Sequence, residues 1–125
     1  MNQDQPIPSD RQNEIVALYL KALDKHLAEL KIGKAEKALE IRDFASELFV
    51  HPKHLSNTIQ AVLGKSPCDL YEEKLLAISK ELLLTTQHTI AHIAQTLTFD
   101  PSNFTKFFKA YEGTTPKKFR ELNLK

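Results

Sequence analysis

The sequence reads FASELFVHPKHLSNTIQAVLGKSPCDLY from Phe44 to Tyr71 and IAQTLTFDPSNFTKFFKAYEGTTPKKFR from Ile93 to Arg120. Aligned without a gap at an offset of 49, the two stretches are identical at Ala45/Ala94, Leu48/Leu97, Pro52/Pro101, Ala61/Ala110, Gly64/Gly113 and Pro67/Pro116. These positions supply the small residue, the turn and cap residues and the apolar positions that a helical unit needs. Because an internal repeat constrains the whole fold, we interpret the chain as a duplicated helical module.

The composition is typical of a soluble globular protein. The chain has 125 residues, 42% apolar and 26% charged, which suffices for one ordinary domain or two very small ones packed together. It has no apolar run of about 18 residues that could cross a bilayer, and its first residues lack a secretory signal, so we expect a cytoplasmic location. The single cysteine, Cys68, permits neither an intrachain disulfide nor a cysteine-rich zinc site.

Apolar residues at helical spacing, bounded by cap residues, predict an all-α fold. Ser9 or Asp10 is the expected N-cap of a long amphipathic helix whose apolar face includes Leu18, and Gly33 is its expected end. A second helix is predicted from about residue 39 to 48. The expected caps of later helices are Ser66, Thr89 and Asp100, their first residues are Pro52, Pro67 and Pro101, and two of them end at Gly64 and Gly113.

Each copy of the repeat is a short helix, a turn of three or four residues and a second helix, which is the helix-turn-helix arrangement. In this motif the second helix enters the major groove of DNA. The predicted organisation is a disordered tail (1–9), an N-terminal helix and loop (10–38), a first helix-turn-helix (39–65), a connecting helix (66–87), and a second helix-turn-helix with a C-terminal helix (88–125).

The second helix of each copy displays polar and basic residues on the side that its apolar residues leave open. These outward positions are Lys53, His54, Ser56, Asn57, Gln60, Ser102, Asn103, Thr105, Lys106 and Lys109. No acidic residue lies between His51 and Lys65 or between Pro101 and Tyr111, although the chain has 16 acidic residues and a net charge of +1. Such side chains can read bases or bind phosphate, so the pattern favours duplex DNA as the partner. For any single residue, a solvated helix face is the alternative.

Phosphate contacts are expected from cations and polar groups near the two reading helices. The candidates are Arg42, His54, Gln60, Lys65, Thr105, Lys109, Lys117 and Lys118. The helix between the copies, about 20 residues at roughly 1.5 Å each, spans on the order of 30 Å. Successive major grooves on one face of DNA are about 34 Å apart. We therefore expect a monomer that reads two half-sites in adjacent grooves.

Residues 39–122 resemble the DNA-binding domain of the AraC/XylS family of bacterial transcription regulators. The resemblance rests on FASELFVHPKHLSNTIQAVLGKSP, on KLLAISKELLL and above all on IAHIAQTLTFDPSNFTKFFKAYEGTTPKKFR, which is similar to the family's C-terminal signature. It implies two helix-turn-helix subdomains on one face of DNA and, as is usual in the family, gene activation through RNA polymerase. The base-reading positions that it implies are Lys53, Ser56, Asn57, Ser102, Asn103 and Lys106. Phe49 and Thr98 depart from the family's pattern, because each replaces the glycine usual at its turn.

Two other classes of function compete with DNA binding. An enzyme or metal protein is suggested by His88 and His92, whose i, i+4 spacing can place two ligands on one helix face, and by His51 and His54. The segment HTIAH contains no glutamate, a third ligand is missing, and Thr89 is better explained as an N-cap, so we expect no enzyme, metal site or cofactor. A helical protein-interaction module is the stronger alternative, with the first helix either packed on the first copy or offered for dimerisation. That helix cannot enclose a small ligand alone, so we expect no effector site.

Overall fold

The computed structural model describes residues 7–123, and every regular element in this part of the chain is a helix. The helices are α1 (Asp10–Lys31), α2 (Ile41–Glu47), α3 (Pro52–Leu63), α4 (Pro67–Thr85), α5 (Ile90–Thr96), α6 (Pro101–Glu112) and α7 (Pro116–Asn123). The all-α prediction is confirmed. The predicted disordered tail falls mostly on residues 1–6, which lie outside the described residues, whereas residues 7–9 have no regular secondary structure.

The two copies of the repeat fold into matching pairs of helices. α2 and α5 begin and end 49 residues apart, and so do α3 and α6. Pro52 and Pro101 are the first residues of α3 and α6, a position where no helical hydrogen bond needs the missing N–H. Gly64 and Gly113 end these helices with φ of 72° and 83°, conformations that glycine adopts without a Cβ clash. The duplication read from the sequence is therefore confirmed.

The turn within each pair adopts a left-handed conformation without glycine. Phe49 has a φ of 57° and Thr98 a φ of 68°. In the first turn the amide of Val50 donates to the carbonyl of Ala45 at 3.0 Å, and that of Phe49 donates to Ser46 at 3.2 Å; the second turn repeats both bonds 49 residues later. This Schellman arrangement satisfies carbonyls at the helix end and requires a left-handed residue at this position. The two residues that replace glycine therefore accept the backbone strain, at a cost of roughly 1–2 kcal/mol each.

The predicted caps are confirmed at several helix starts. The hydroxyl of Ser9 accepts from the amide of Gln12 at 3.1 Å, and that of Ser66 accepts from the amide of Asp69 at 3.1 Å. Each bond satisfies an N–H that the first turn of a helix leaves open. α1 and α4 therefore begin where the local sequence places them.

Two details of the predicted helices are wrong. α2 begins at Ile41, because Glu40 is extended and its amide donates to the carboxylate of Asp43 at 2.8 Å, which closes a capping box. Leu18, assigned by its spacing to the apolar face of α1, is 45% exposed. Val16 and Tyr19, on either side of it in the helix, are both almost fully buried and form that face instead.

The described residues divide into two compact units. The first unit combines the chain up to Lys25 with Leu39–Tyr71. Its buried apolar residues are Ile15, Val16, Tyr19, Leu23, Phe44, Ala45, Leu55, Ile59 and Leu70. The rings of Tyr19 and Phe44 form a T-shaped pair, with centroids 5.4 Å apart and planes at 82°, a favoured aromatic geometry. The first part of α1 therefore packs on the first helix pair.

The second unit combines His26–Ala38 with the chain from Glu72 onward. Its core includes Leu27, Leu30, Leu75, Leu82, Leu83, Ile93, Ala94, Leu97, Phe104 and Phe108. Phe108 lies 6.1 Å from Phe104 and 5.4 Å from Phe119 between ring centroids, so this core is largely aromatic around α6. Both units are defined by packing. The five segments predicted from the sequence have different boundaries, and they stay a prediction.

Candidate nucleic-acid interface

α3 presents a polar face opposite its buried residues. Leu55, Thr58 and Ile59 are buried, and the Thr58 hydroxyl donates to the carbonyl of His54 at 2.7 Å, which satisfies it inside the helix. The exposed side chains on the other side are Lys53, His54, Asn57 and Gln60, whereas Ser56 is half-buried. His51 caps the helix, since its Nδ1 accepts from the amide of Lys53 at 3.1 Å. All four exposed side chains are among the outward positions predicted from the apolar spacing of the helix.

α6 presents the corresponding face in the second unit. Phe104 and Phe108 are fully buried, and they fix which side of the helix faces outward. Ser102, Asn103, Lys106 and Lys109 are exposed, whereas Thr105 is half-buried. The structure thus brings most of the predicted base-reading residues to open helix faces. Ser56 and Thr105, which correspond across the repeat, are the half-buried predicted contacts on these two helices.

Asp100 introduces a carboxylate at the start of α6. It occupies the predicted N-cap position, but its carboxylate makes no capping hydrogen bond to a backbone amide. Instead, the carboxylate accepts from the hydroxyl of Ser102 at 2.6 Å. The Ser102 hydroxyl, with the nearby helix amides and Lys106, holds the pKa of Asp100 below its ordinary value. The hydroxyl of Ser102 must leave Asp100 before it can donate to a base, although its oxygen can still accept.

The predicted phosphate contacts differ in how they are placed. His54, Gln60, Lys109, Lys117 and Lys118 are exposed, whereas Lys65 and Thr105 are half-buried. Arg42 Nε lies 2.8 Å from the Glu40 carboxylate, and both side chains are mostly exposed. A surface ion pair of this kind contributes little free energy, so phosphate can replace Glu40 as the partner of Arg42.

Arg120 is a structural contact that the sequence analysis missed. Its guanidinium donates to three carbonyls, those of Leu83 at 2.9 Å, Thr86 at 3.3 Å and His88 at 2.7 Å. These groups lie at the end of α4 and in the segment before α5, where carbonyls have no helical partner and a cation is favoured. Arg120 therefore joins α7 to the segment that starts the second helix pair. The only sequence signal for it is its place in TTPKKFR.

The first unit contains a cavity of about 340 Å³ beside α3. Its lining includes Tyr19, Phe44, Ser56, Cys68 and Tyr71, so the half-buried Ser56 borders this space. Burial, reinforced by Tyr71 and Cys68, raises the pKa of Tyr19 to about 12, and burial also raises the pKa of Tyr71. Both phenols are therefore neutral near pH 7. The predicted absence of an effector site stays a prediction.

The HTIAH segment has the N-cap that its sequence predicts. Thr89 Oγ1 accepts from the amide of His92 at 3.0 Å, so the N-cap role of Thr89 is confirmed. The ring centroids of His88 and His92 lie 4.6 Å apart. Between residues 7 and 123, no group of three or more His, Cys, Asp or Glu side chains is placed to hold a metal ion. Within the same range, none of the helices has the length and apolar character needed to cross a membrane.

Comparison with known sequences matches the repeat region to a protein family. A family model described as a helix-turn-helix domain covers residues 44–122. Over 83 residues, the chain is 32% identical to YisR of Bacillus subtilis, an uncharacterized HTH-type transcriptional regulator. That match covers 66% of this chain but 29% of the relative, so the chain spans less than a third of that relative's length.

Solved structures share the fold. The C-terminal domain of AraT, a response regulator from Geobacillus stearothermophilus, aligns with a TM-score of 0.79 and 26% identity, over 96% of this chain and 91% of that one. The DNA-binding domain of AdpA, a global transcriptional factor solved in complex with a target DNA, aligns with a TM-score of 0.69 and 17% identity, over 91% and 93% of the two chains. At that identity the second likeness concerns the fold alone.

Proposed function

Because the chain belongs to the AraC-type helix-turn-helix family of transcription regulators, we propose that it binds duplex DNA sequence-specifically and regulates transcription. α3 and α6 each enter a major groove, and the two grooves are adjacent. The observation that carries this proposal is the pair of equivalent helices, each with a buried apolar side and an open side of polar and basic residues that contains no acid. A generic helical scaffold has no need of two such faces at equivalent positions.

The roles within each reading helix follow from the chemistry of the bases. Asn57 pairs with adenine through its amide, and Lys106 donates to the acceptors of guanine. Lys53, Ser56, Ser102 and Asn103 complete the proposed base contacts, while the eight phosphate candidates fix the register of the protein on DNA. The exposed positions of Asn57 and Lys106 support their assignment more strongly than the half-buried position supports that of Ser56.

The proposed biological setting follows from the family. Activation through RNA polymerase in the bacterial cytoplasm is the usual mode of the family, and it is the mode that we propose. No catalytic step and no cofactor are part of it. YisR is named as a transcriptional regulator, and AdpA was solved on its target DNA; both descriptions belong to those proteins, and both agree with the proposal.

The test is selection of a random duplex library by the purified chain at two salt concentrations, followed by sequencing of the retained DNA. We expect two short, unlike motifs about one helical turn apart, and retention that falls steeply with salt because bound phosphates release counterions. The competing protein-interaction module predicts no retention even at low salt. That outcome would reject DNA binding and leave α1 as the surface to examine for a protein partner.

A further inference from the structure

Two exposed histidines of the second unit lie side by side at the start of α5. His88 immediately precedes the cap residue Thr89, and His92 lies in the first turn of the helix. Their ring centroids are 4.6 Å apart and their planes are tilted by 45°. Neither side chain has a part in the proposed reading of DNA. Imidazole is a common ligand of transition metals, so the pair has the chemistry of a metal site.

The separation of the rings suits two imidazoles bound to one ion. Metal–nitrogen bonds of about 2.0–2.1 Å put each ring centroid roughly 3.2 Å from the ion. Centroids 4.6 Å apart then subtend about 90° at the ion, whereas a tetrahedral site needs roughly 5.2 Å between them. An angle near 90° belongs to tetragonal or octahedral coordination. We therefore propose that His88 and His92 chelate a divalent ion of the Cu²⁺ or Ni²⁺ class, with water in the remaining positions.

Hydrogen bonds fix the backbone of both histidines without a metal. The guanidinium of Arg120 donates to the carbonyl of His88 at 2.7 Å. Thr89 Oγ1 accepts from the amide of His92, and the hydroxyl of Thr96 donates to its carbonyl at 2.9 Å. Because the backbone positions of the two ligands are fixed, only side-chain freedom is lost when both bind one ion, which favours chelation by the pair over binding by one histidine.

Two cationic side chains lie near the pair. Lys31 borders the same surface depression as the two histidines, and its charge is compensated by an ion pair with Glu81. The guanidinium of Arg120 donates to neutral carbonyls and keeps its positive charge, so it lowers the affinity for a cation, and the imidazole–metal bonds must exceed this repulsion. Because only two protein groups bind the ion, the site is exchangeable and open to further ligands, unlike a closed structural zinc site.

The test is a titration of the untagged chain with Cu²⁺ in a non-chelating buffer near neutral pH. Calorimetry measures the affinity and stoichiometry, and electron paramagnetic resonance identifies the ligands. We expect one ion per chain at this site, with hyperfine splitting from two imidazole nitrogens. His88→Asn and His92→Asn are each expected to weaken binding at least tenfold. His51→Asn is the matched control, because it removes another exposed histidine while asparagine can still cap α3.

A second readout separates loss of the site from loss of the fold. Binding to the folded state alone raises the melting temperature, so Cu²⁺ should stabilise the native chain and the His51→Asn variant but not His88→Asn. Full affinity in either His88→Asn or His92→Asn, or an equal loss in His51→Asn, would overturn the proposal. Both measurements are made without DNA, so their outcome is independent of the proposed function.

Discussion

Asn57 and Lys106 occupy corresponding positions of α3 and α6, yet they offer different chemistry to DNA. The asparagine amide both donates and accepts, and it matches adenine, whereas the lysine ammonium only donates and matches the acceptors of guanine. Both side chains are exposed. If both side chains read bases as proposed, the duplicated scaffold presents unlike reading groups, and the DNA sequence that it prefers need not be symmetric.

Replacement of Asn57 by alanine is expected to relax base preference at one position of one half-site. The loss of a bidentate contact is worth about 1–3 kcal/mol of discrimination between bases. The measurement is a set of dissociation constants on duplexes that carry each of the four base pairs at that position. Lys106→Ala is expected to have the same effect in the other half-site only.

Lys117→Ala provides the control for this pair, because Lys117 is assigned to phosphate and is exposed. A lost phosphate contact weakens every sequence by a similar factor and lowers the slope of log K against log salt by about 1. Should Asn57→Ala behave in the same way, with equal losses on all four base pairs, Asn57 does not read a base.

Tyr19 makes the fold sensitive to alkali. Its pKa of about 12 in the folded chain lies above the ordinary value of 10.0, because burial disfavours the phenolate. The folded state then holds a proton that the unfolded state has released, so this stabilisation is complete below about pH 10 and is lost as the pH rises towards 12. We expect Tyr19→Phe, measured by urea unfolding at several pH values, to lose less stability above pH 10 than the native chain.

Tyr111→Phe is the matched control for this prediction, because Tyr111 is 42% exposed and its replacement removes a phenol from the surface. Tyr71, whose pKa is also raised by burial, leaves some alkaline sensitivity in the Tyr19→Phe variant. An alkaline loss as steep in Tyr19→Phe as in Tyr111→Phe would mean that Tyr19 does not couple its ionisation to folding.

The turns between paired helices each contain a non-glycine residue with a strained, left-handed backbone. Phe49 is 94% exposed, so its ring contributes almost no burial that could offset a left-handed backbone. Phe49→Gly is expected to raise the free energy of unfolding by up to about 1 kcal/mol, because relief of the Cβ clash exceeds the added freedom of the unfolded chain. The midpoint of urea unfolding measures the change.

Phe49→Ala is the matched control, since alanine keeps the Cβ and loses only the exposed ring. We expect it to leave stability nearly unchanged, and the same contrast is expected between Thr98→Gly and Thr98→Ala. Equal effects of glycine and alanine at both positions would show that the left-handed conformation is not the source of the strain.

Local chemistry decides how far such elements can be predicted from sequence. Pro52, Pro101, Gly64 and Gly113 fix helix boundaries through their own backbone, so these boundaries are predicted correctly. Phe49 has no intrinsic preference for its left-handed conformation, which is imposed by the Schellman bonds around it. The contacts of Arg120 join residues 32 to 37 positions apart, and no local pattern encodes them.

The candidate site also has one part that local sequence predicts and one part that depends on distant packing. Exposed positions such as Lys53, Asn57 and Lys106 follow from the spacing of buried residues on one helix. The partial burial of Ser56 does not, because it depends on α1 and on the residues around Tyr71 that line the cavity. Periodicity therefore predicts which face of a helix is open, while packing from distant segments decides how open each position is.

In the proposed function, both helix pairs bind the same DNA molecule. α4, the helix between them in sequence, has 19 residues and is about 28 Å long at 1.5 Å per residue. If both helix pairs bind one duplex, the second contact is intramolecular and affinity exceeds that of either pair alone by a factor on the order of 100 or more. The distance between half-sites then becomes a measurable property of the protein.

Insertion of five base pairs between the half-sites selected from the library is expected to abolish this gain, because it turns the second site to the opposite side of the duplex. Fluorescence anisotropy on duplexes with zero to ten inserted base pairs measures the loss. A ten-pair insertion restores the facing but adds about 34 Å, so a helical connection should not recover the affinity, whereas a flexible tether would. Duplexes with the second half-site scrambled are the control and should be insensitive to spacing. Equal affinity at every spacing with both half-sites intact would show that only one helix pair binds at a time, and would reject simultaneous reading while leaving DNA binding itself in place.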